Sequence, residues 1–250
     1  MTQVNIEVTV EEIKGATEAQ ASGASRLEVC SALDLGGLTP SAGLLHTICE
    51  QVTIPVFAIV RPRSGNFIID ETDVMIAEEE TRRALELGAA GIAWGALDPQ
   101  GNIDTVASTR VIESASGRPV TFHRAFDSCC HPRNSLETLI ELGFDAILTS
   151  GGAPSALEGA DAIADLVDQA RGRIEIIAAG KIHPANAPSL VAATGIHWLH
   201  LSARKTVSTE EGGCLDLAPR SVPGAGERAF TDPEVIQELR GVLDRPPPPS

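Results

Sequence analysis

The feature that most constrains this chain is a repeated joint: a helical stretch, then a glycine, then a short apolar run rich in β-branched residues. A glycine just past a helix takes the left-handed conformation that closes the last turn, so each such joint marks where a helix gives way to a strand. The four clearest are Ser22-Gly23, Leu87-Gly88, Leu142-Gly143 and Thr194-Gly195, which precede strands predicted over 26–30, 91–95, 145–149 and 197–202. Pro55, Gly117 with Pro119, and Gly172 punctuate three more, over 56–60, 120–123 and 174–179, and an opening run over 4–8 makes eight.

Helical patterns fill the gaps at 11–21, 41–51, 72–87, 105–115, 134–142, 156–170, 185–193 and 233–243. Strict alternation of strand and helix implies parallel pairing with helical crossovers. Eight units in 250 residues is the size of an α/β single-domain TIM (β/α)8 barrel, whereas a doubly wound sheet would use fewer units. The barrel is assigned to residues 1–245. Residues 204–230, aperiodic and rich in Gly, Ser, Thr and Pro, are expected to form a long loop over its mouth, and residues 246–250 a disordered proline-rich tail.

Composition narrows the function. Nineteen Lys and Arg against 34 Asp and Glu give a net charge of -15, and there is no Tyr. A nucleic-acid partner needs phosphate-neutralising cations and stacking aromatics, so none is expected. No apolar run approaches the length of a membrane span, and the start lacks the basic head and apolar stretch of a signal peptide, so the expectation is a cytoplasmic protein without a membrane partner. The five cysteines are odd in number and form no repeated metal-ligand spacing, and Cys129 and Cys130 are read as free thiols.

Barrel interiors are usually packed with Val, Ile and Leu, yet here one face of several strands is polar. Asn5 and Glu7 share a side of the first strand, and Arg26, Glu28 and Cys30 a side of the second. Thr121 and His123 do so on the fifth strand and His200 and Ser202 on the eighth; Arg61 ends the third, and the seventh carries Glu175. Their apolar neighbours must meet the helix layer, so the polar set should point to the axis, mostly near the carboxyl end, where barrel enzymes keep their sites. A structural alternative is an interior ion-pair layer of Glu7 and Glu28 with Arg26 and Arg61. His123, followed by Arg124 and Asp127, offers an imidazole for a proton or a soft metal, and the guanidinium offers a two-point clamp for an anion. Gly180-Lys181 and Ser202-Ala203-Arg204 end the seventh and eighth strands, where many barrels cradle a phosphate.

Several of these strand-end runs resemble one family. Arg26-Leu27-Glu28-Val29-Cys30, Gly36-Gly37-Leu38-Thr39-Pro40-Ser41, Arg61-Pro62-Arg63, the run from Val120 to Asp127 around His123-Arg124, and Leu148-Thr149-Ser150-Gly151 are similar to those of the CutC copper-homeostasis proteins. The resemblance implies a cytosolic, homo-oligomeric barrel, a dimer or tetramer, that participates in copper homeostasis and binds copper at the barrel mouth. Cytosolic Cu(I) prefers sulfur donors. Cys30 matches one family cysteine, while Thr9 stands where many relatives have another.

Two functions follow as expectations. In the first, the chain handles copper, with Cu(I) as its ligand and Cys30 as the metal donor. In the second, it is an enzyme of lyase or isomerase type acting on a small anionic metabolite. There Glu28, His123 and Arg124 are the catalytic residues, and Glu7, Arg61, Thr149, Gly180, His200 and Ser202 bind substrate.

Overall fold

In a computed structural model, which describes residues 3–208 and 227–244, the alternation resolves into a closed parallel barrel. Its strands are β1 (Asn5–Val10), β2 (Arg26–Val29), β3 (Val56–Ile59), β4 (Gly91–Trp94), β5 (Val120–Phe122), β6 (Ala146–Thr149), β7 (Glu175–Ala179) and β8 (Trp198–Leu201), each hydrogen-bonded to its neighbours in chain order, with β8 returning to β1. The helices are α1 (Ile13–Ala21), α2 (Ala42–Gln51), α3 (Glu71–Glu86), α4 (Thr105–Ser114), α5 (Pro132–Leu142), α6 (Ala160–Ala170), α7 (Ala187–Thr194) and α8 (Pro233–Leu243).

Local chemistry sets the ends of these helices. Asp70 and Asp73 form a reciprocal capping box that starts α3, and Ser41 and Asp104 cap α2 and α4 through their side chains. Gly143 and Gly195 end α5 and α7 in the left-handed conformation that the joints predict. Helix α6 starts four residues later than its apolar pattern suggests, because Gly159 is drawn against the end of β6: a Cβ there would lie 2.0 Å from the Ser150 carbonyl oxygen.

Outward strand residues such as Ile6, Val8, Leu27, Ile92, Ile147 and Leu199 are fully buried beneath the helices and form the main core. Their inward neighbours are of two kinds. An apolar patch of Ala146, Leu148, Ile177 and Ala179 fills one side of the barrel, and charged and polar groups from β1, β2, β5 and β8 fill the other. The first and last strands meet with Glu7 opposite His200, and on its other flank Glu7 is opposite Arg26.

The segment after β8 departs from expectation. Its two ends pair as an antiparallel hairpin, β9 (Arg204–Ser208) and β10 (Glu227–Thr231), with Arg204 opposite Thr231. Thr206, Val207 and Phe230 carry the strand preference that the surrounding polar residues obscure. The hairpin lies on α1 so closely that a Cβ at Gly15 would fall 2.4 Å from Thr231 Oγ1. The middle of the expected long loop and the proline-rich tail lie outside the described residues. Among the described residues no helix is long and apolar enough to cross a membrane.

Candidate functional site

A cavity of about 570 Å³ opens at the carboxyl end of the barrel. Strand alternation brings Thr9, Glu28, Ile59, His123, Leu148 and His200 to it, the segments after β5, β7 and β8 add Arg124, Gly180, Lys181, His183 and Ser202, and Arg204 joins them from the start of β9. Of the residues anticipated as catalytic or substrate-binding, Glu28, His123, Arg124, Gly180, His200 and Ser202 therefore share one space.

On one side of this space the acid and imidazole groups form a relay. Glu7, beneath the cavity, takes Arg26 on one carboxylate oxygen and His200 Nδ1 on the other at 2.7 Å. His200 Nε2 lies 2.9 Å from Thr9 Oγ1 and 3.7 Å from Glu28 Oε2, and Thr9 donates its hydroxyl to Glu28 at 3.2 Å. Arg26 is held in place by Phe57 and Trp198, its guanidinium carbon 4.1 and 4.6 Å from the two ring centroids. The interior ion-pair layer is thus real at the level of Glu7, and it serves to orient His200.

These surroundings separate the two carboxyls. Burial alone would raise Glu7, but the Arg26 charge and the His200 hydrogen bond more than offset it and hold Glu7 down at about 2. Glu28 has no guanidinium of its own. Burial, reinforced by the nearby Glu7 charge and opposed by His200, pushes it up to about 6. His200 is raised despite its burial, because Glu28 and Glu7 both favour the imidazolium. A buried carboxyl poised near neutrality and facing a cavity is suited to proton transfer.

His123 stands on the opposite side. Its Nδ1 accepts the Ala125 N–H at 3.2 Å, and its ring lies over Gly95, where a Cβ would come within 2.5 Å of Nδ1. Burial, with help from the Arg61 charge, lowers it to about 3, so the ring is neutral at physiological pH. Its Nε2 is buried without a hydrogen-bond partner, as are Arg26 Nη2 and Thr121 Oγ1.

Three cationic side chains line the rim, and two of them are paired with carboxylates. Arg124 is about half exposed and tied to Asp127 at 2.8 Å and Ser150 at 3.0 Å; Arg204 is tied to Asp34 at 2.9 Å. Lys181 is exposed and, among the described residues, makes no ion pair. Its backbone is held at φ 53 by the Asn186 side chain, which donates to the Lys181 carbonyl and accepts from the His183 N–H.

Four anticipated site residues do not reach the cavity. Glu7 lies below it, behind His200. Arg61 donates to the carbonyls of Leu35, Gly37 and Gly65, so its guanidinium secures two loops instead of clamping an anion or balancing a buried carboxylate. Thr149 faces outward from β6 and donates to Asp127 at 2.6 Å, steadying the carboxylate that holds Arg124. Cys30 is fully buried against Ile59 and Ala93, and burial together with the Glu28 charge pushes its thiol far above the usual range. The residues that sequence reasoning missed are Thr9, which bridges Glu28 and His200, and Phe67 and His183 on the cavity wall. Thr9 had a readable signal, since alternation puts it on the face of Glu7. Phe67 and His183 sit on loops, where no periodicity points inward.

Comparison with known proteins agrees with this architecture. The family model described as CutC matches residues 4–205. A family protein CutC of Histophilus somni (strain 2336) is 44% identical over 201 residues, spanning 80% of this chain and 83% of the relative. One from Xanthomonas campestris pv. campestris is 42% identical over 207 residues, 83% of this chain and 86% of the relative. A solved CutC structure from Streptococcus agalactiae, provisionally described as a copper homeostasis protein, superimposes with a TM-score of 0.76 at 31% identity, covering 80% of this chain and 98% of that one. On its sequence and on its fold alike, this chain belongs to the CutC family.

Proposed function

We propose that the barrel mouth is the active site of an enzyme, of isomerase or lyase type, that moves a proton on a small anionic metabolite. The observation that carries this reading is the placement of Glu28. It is a buried carboxyl held near neutrality at the floor of an open cavity whose rim presents Arg124, Lys181 and Arg204. Glu28 exchanges the proton, His200 and Thr9 set its charge and orientation, and the rim cations attract and hold the anion. Screening small carboxylates and phosphates for thermal stabilisation tests this, because a ligand that binds only the native state raises its stability by mass action. The expected result is an anion that raises the Tm of the wild type by several degrees and that of Lys181→Ala by much less. Absence of a shift with every anion, or equal shifts in both proteins, would defeat the reading.

A second reading, participation in copper homeostasis, is supported by the description of the Streptococcus agalactiae relative and by one donor cluster. Among the described residues, Glu7, Glu28 and His200 place ligand atoms within 4.8 Å of one another. These residues do not fit Cu(I): the cluster contains no sulfur, Cys30 is sealed from the cavity, and Met75 lies exposed on α3. Oxygen and imidazole donors suit Cu(II) better, although both oxygens of Glu7 are already engaged. A copper titration in each oxidation state supports this reading if His200→Ala abolishes binding and Cys30→Ser leaves it intact; no binding to the wild type overturns it. The cytoplasmic, homo-oligomeric character that the resemblance implies is part of the same proposal, and sedimentation of the native protein as a dimer or tetramer is its test.

A further inference from the structure

His123 is a buried wall residue whose chemistry the proton-transfer scheme leaves unused. Its Nδ1 is committed as an acceptor to the Ala125 N–H, so in the neutral ring the proton is on Nε2. That Nε2–H has no partner, although the residue is only 7% exposed and lines the cavity. A buried donor left unpaired costs about 1–3 kcal/mol, a cost that an oxygen acceptor in the cavity would remove. Gly95 gives the ring its place, and Phe67, with ring centroid 5.2 Å away, packs against it. A neutral imidazole that cannot charge at physiological pH is a poor base but a good hydrogen-bond donor to an oxygen on which negative charge develops.

We infer that the substrate is a carbonyl compound carrying an anionic group, bound with its carbonyl oxygen on His123 Nε2–H, its anion toward the Lys181 and Arg124 rim, and a carbon-bound α-proton toward Glu28. The Glu28 carboxylate takes that proton; the C–H electron pair becomes the new C=C bond, and the carbonyl π pair moves to oxygen, where His123 meets it. Return of the proton from the Glu28 carboxyl to carbon closes the step, and no oxidant or reductant is required. The inference rests on the anionic-metabolite reading above and adds to it the reacting group.

The test uses two matched pairs: dihydroxyacetone phosphate against glycerol 3-phosphate, and pyruvate against lactate. Each pair shares its anion and differs at the carbonyl, and the pair that binds distinguishes a phosphate from a carboxylate as the recognised group. For one pair, the wild type should bind the carbonyl member at least about tenfold more tightly, which is about 1.4 kcal/mol. His123→Phe should lose that preference while keeping its affinity for the alcohol, and His123→Gln, whose amide can place a donor near the position of Nε2, should restore part of it. In D2O, exchange of the α-proton followed by NMR should exceed the buffer rate and vanish in Glu28→Gln. If anions bind but neither pair shows a carbonyl preference, this inference fails and the anion reading stands. If none of the four compounds binds, this inference fails, and the wider anion screen decides the reading it rests on.

Discussion

His200 Nδ1 stands 2.7 Å from Glu7 Oε1, across the line where the last barrel strand meets the first. Glu7 is therefore the fixed anion of the site and Glu28 the variable one, although the two side chains rise from neighbouring strands. The difference comes from Arg26, which reaches Glu7 and stops there.

Replacing Glu7 by Gln should destabilise the protein by about 3 kcal/mol at pH 7, because Arg26 and His200 lose the charge that compensates their burial. The Glu7 carboxyl is held below its unfolded value of 4.5, at about 2, so its contribution is fully present above pH 4.5 and is lost as pH falls toward 2. Urea denaturation of wild type and variant should therefore converge at acid pH. A constant gap down to pH 2 would contradict the assignment.

Glu28 carries the opposite sign. Its folded value, about 6, lies above 4.5, so the native state binds this proton more tightly and stability falls by about 2 kcal/mol as pH rises from 4.5 to above 6. Glu28→Gln should flatten that part of the stability profile. A carboxyl carbon titrating near 6 in the wild type and missing from the variant would identify the group by NMR.

Arg61→Ala should lower stability by about 1–3 kcal/mol, since the buried Gly37 carbonyl and the more exposed Leu35 and Gly65 carbonyls lose a charged donor. Affinity of the remaining folded protein for anions should be unchanged. A loss of affinity at constant stability would show that Arg61 touches the ligand after all.

Thiol labelling should distinguish the cysteines by burial. Cys130 is exposed and Cys30 is fully buried with a thiol held protonated. At pH 8, mass spectrometry should find Cys130 alkylated at least about tenfold faster, and Cys30 labelled only on unfolding. Rapid native labelling of Cys30 would reopen it as a metal donor.

The barrel was legible because its signals are local: a glycine after each helix, and alternation along each strand. That alternation also placed Glu28, His123 and His200 around one axis. It did not reveal where a long side chain goes afterwards. Arg61 follows the same pattern as Glu28, yet its guanidinium reaches back to the carbonyls of Leu35 and Gly37, loop positions with no fixed register to the strands. Thr149 and Cys30 show the two limits of a strand-end position, one outward and one sealed. Lys181 lies within a suggestive motif, but its exposed placement depends on Asn186, five residues later, which no pattern connects to it.

The Glu7 and His200 contact joins residues 193 positions apart in the chain. A ribosome must therefore release most of the polypeptide before the imidazole acquires its carboxylate. The contact that orients this imidazole is therefore absent from every partly synthesised chain, and it forms only when the last strand closes the cylinder against the first.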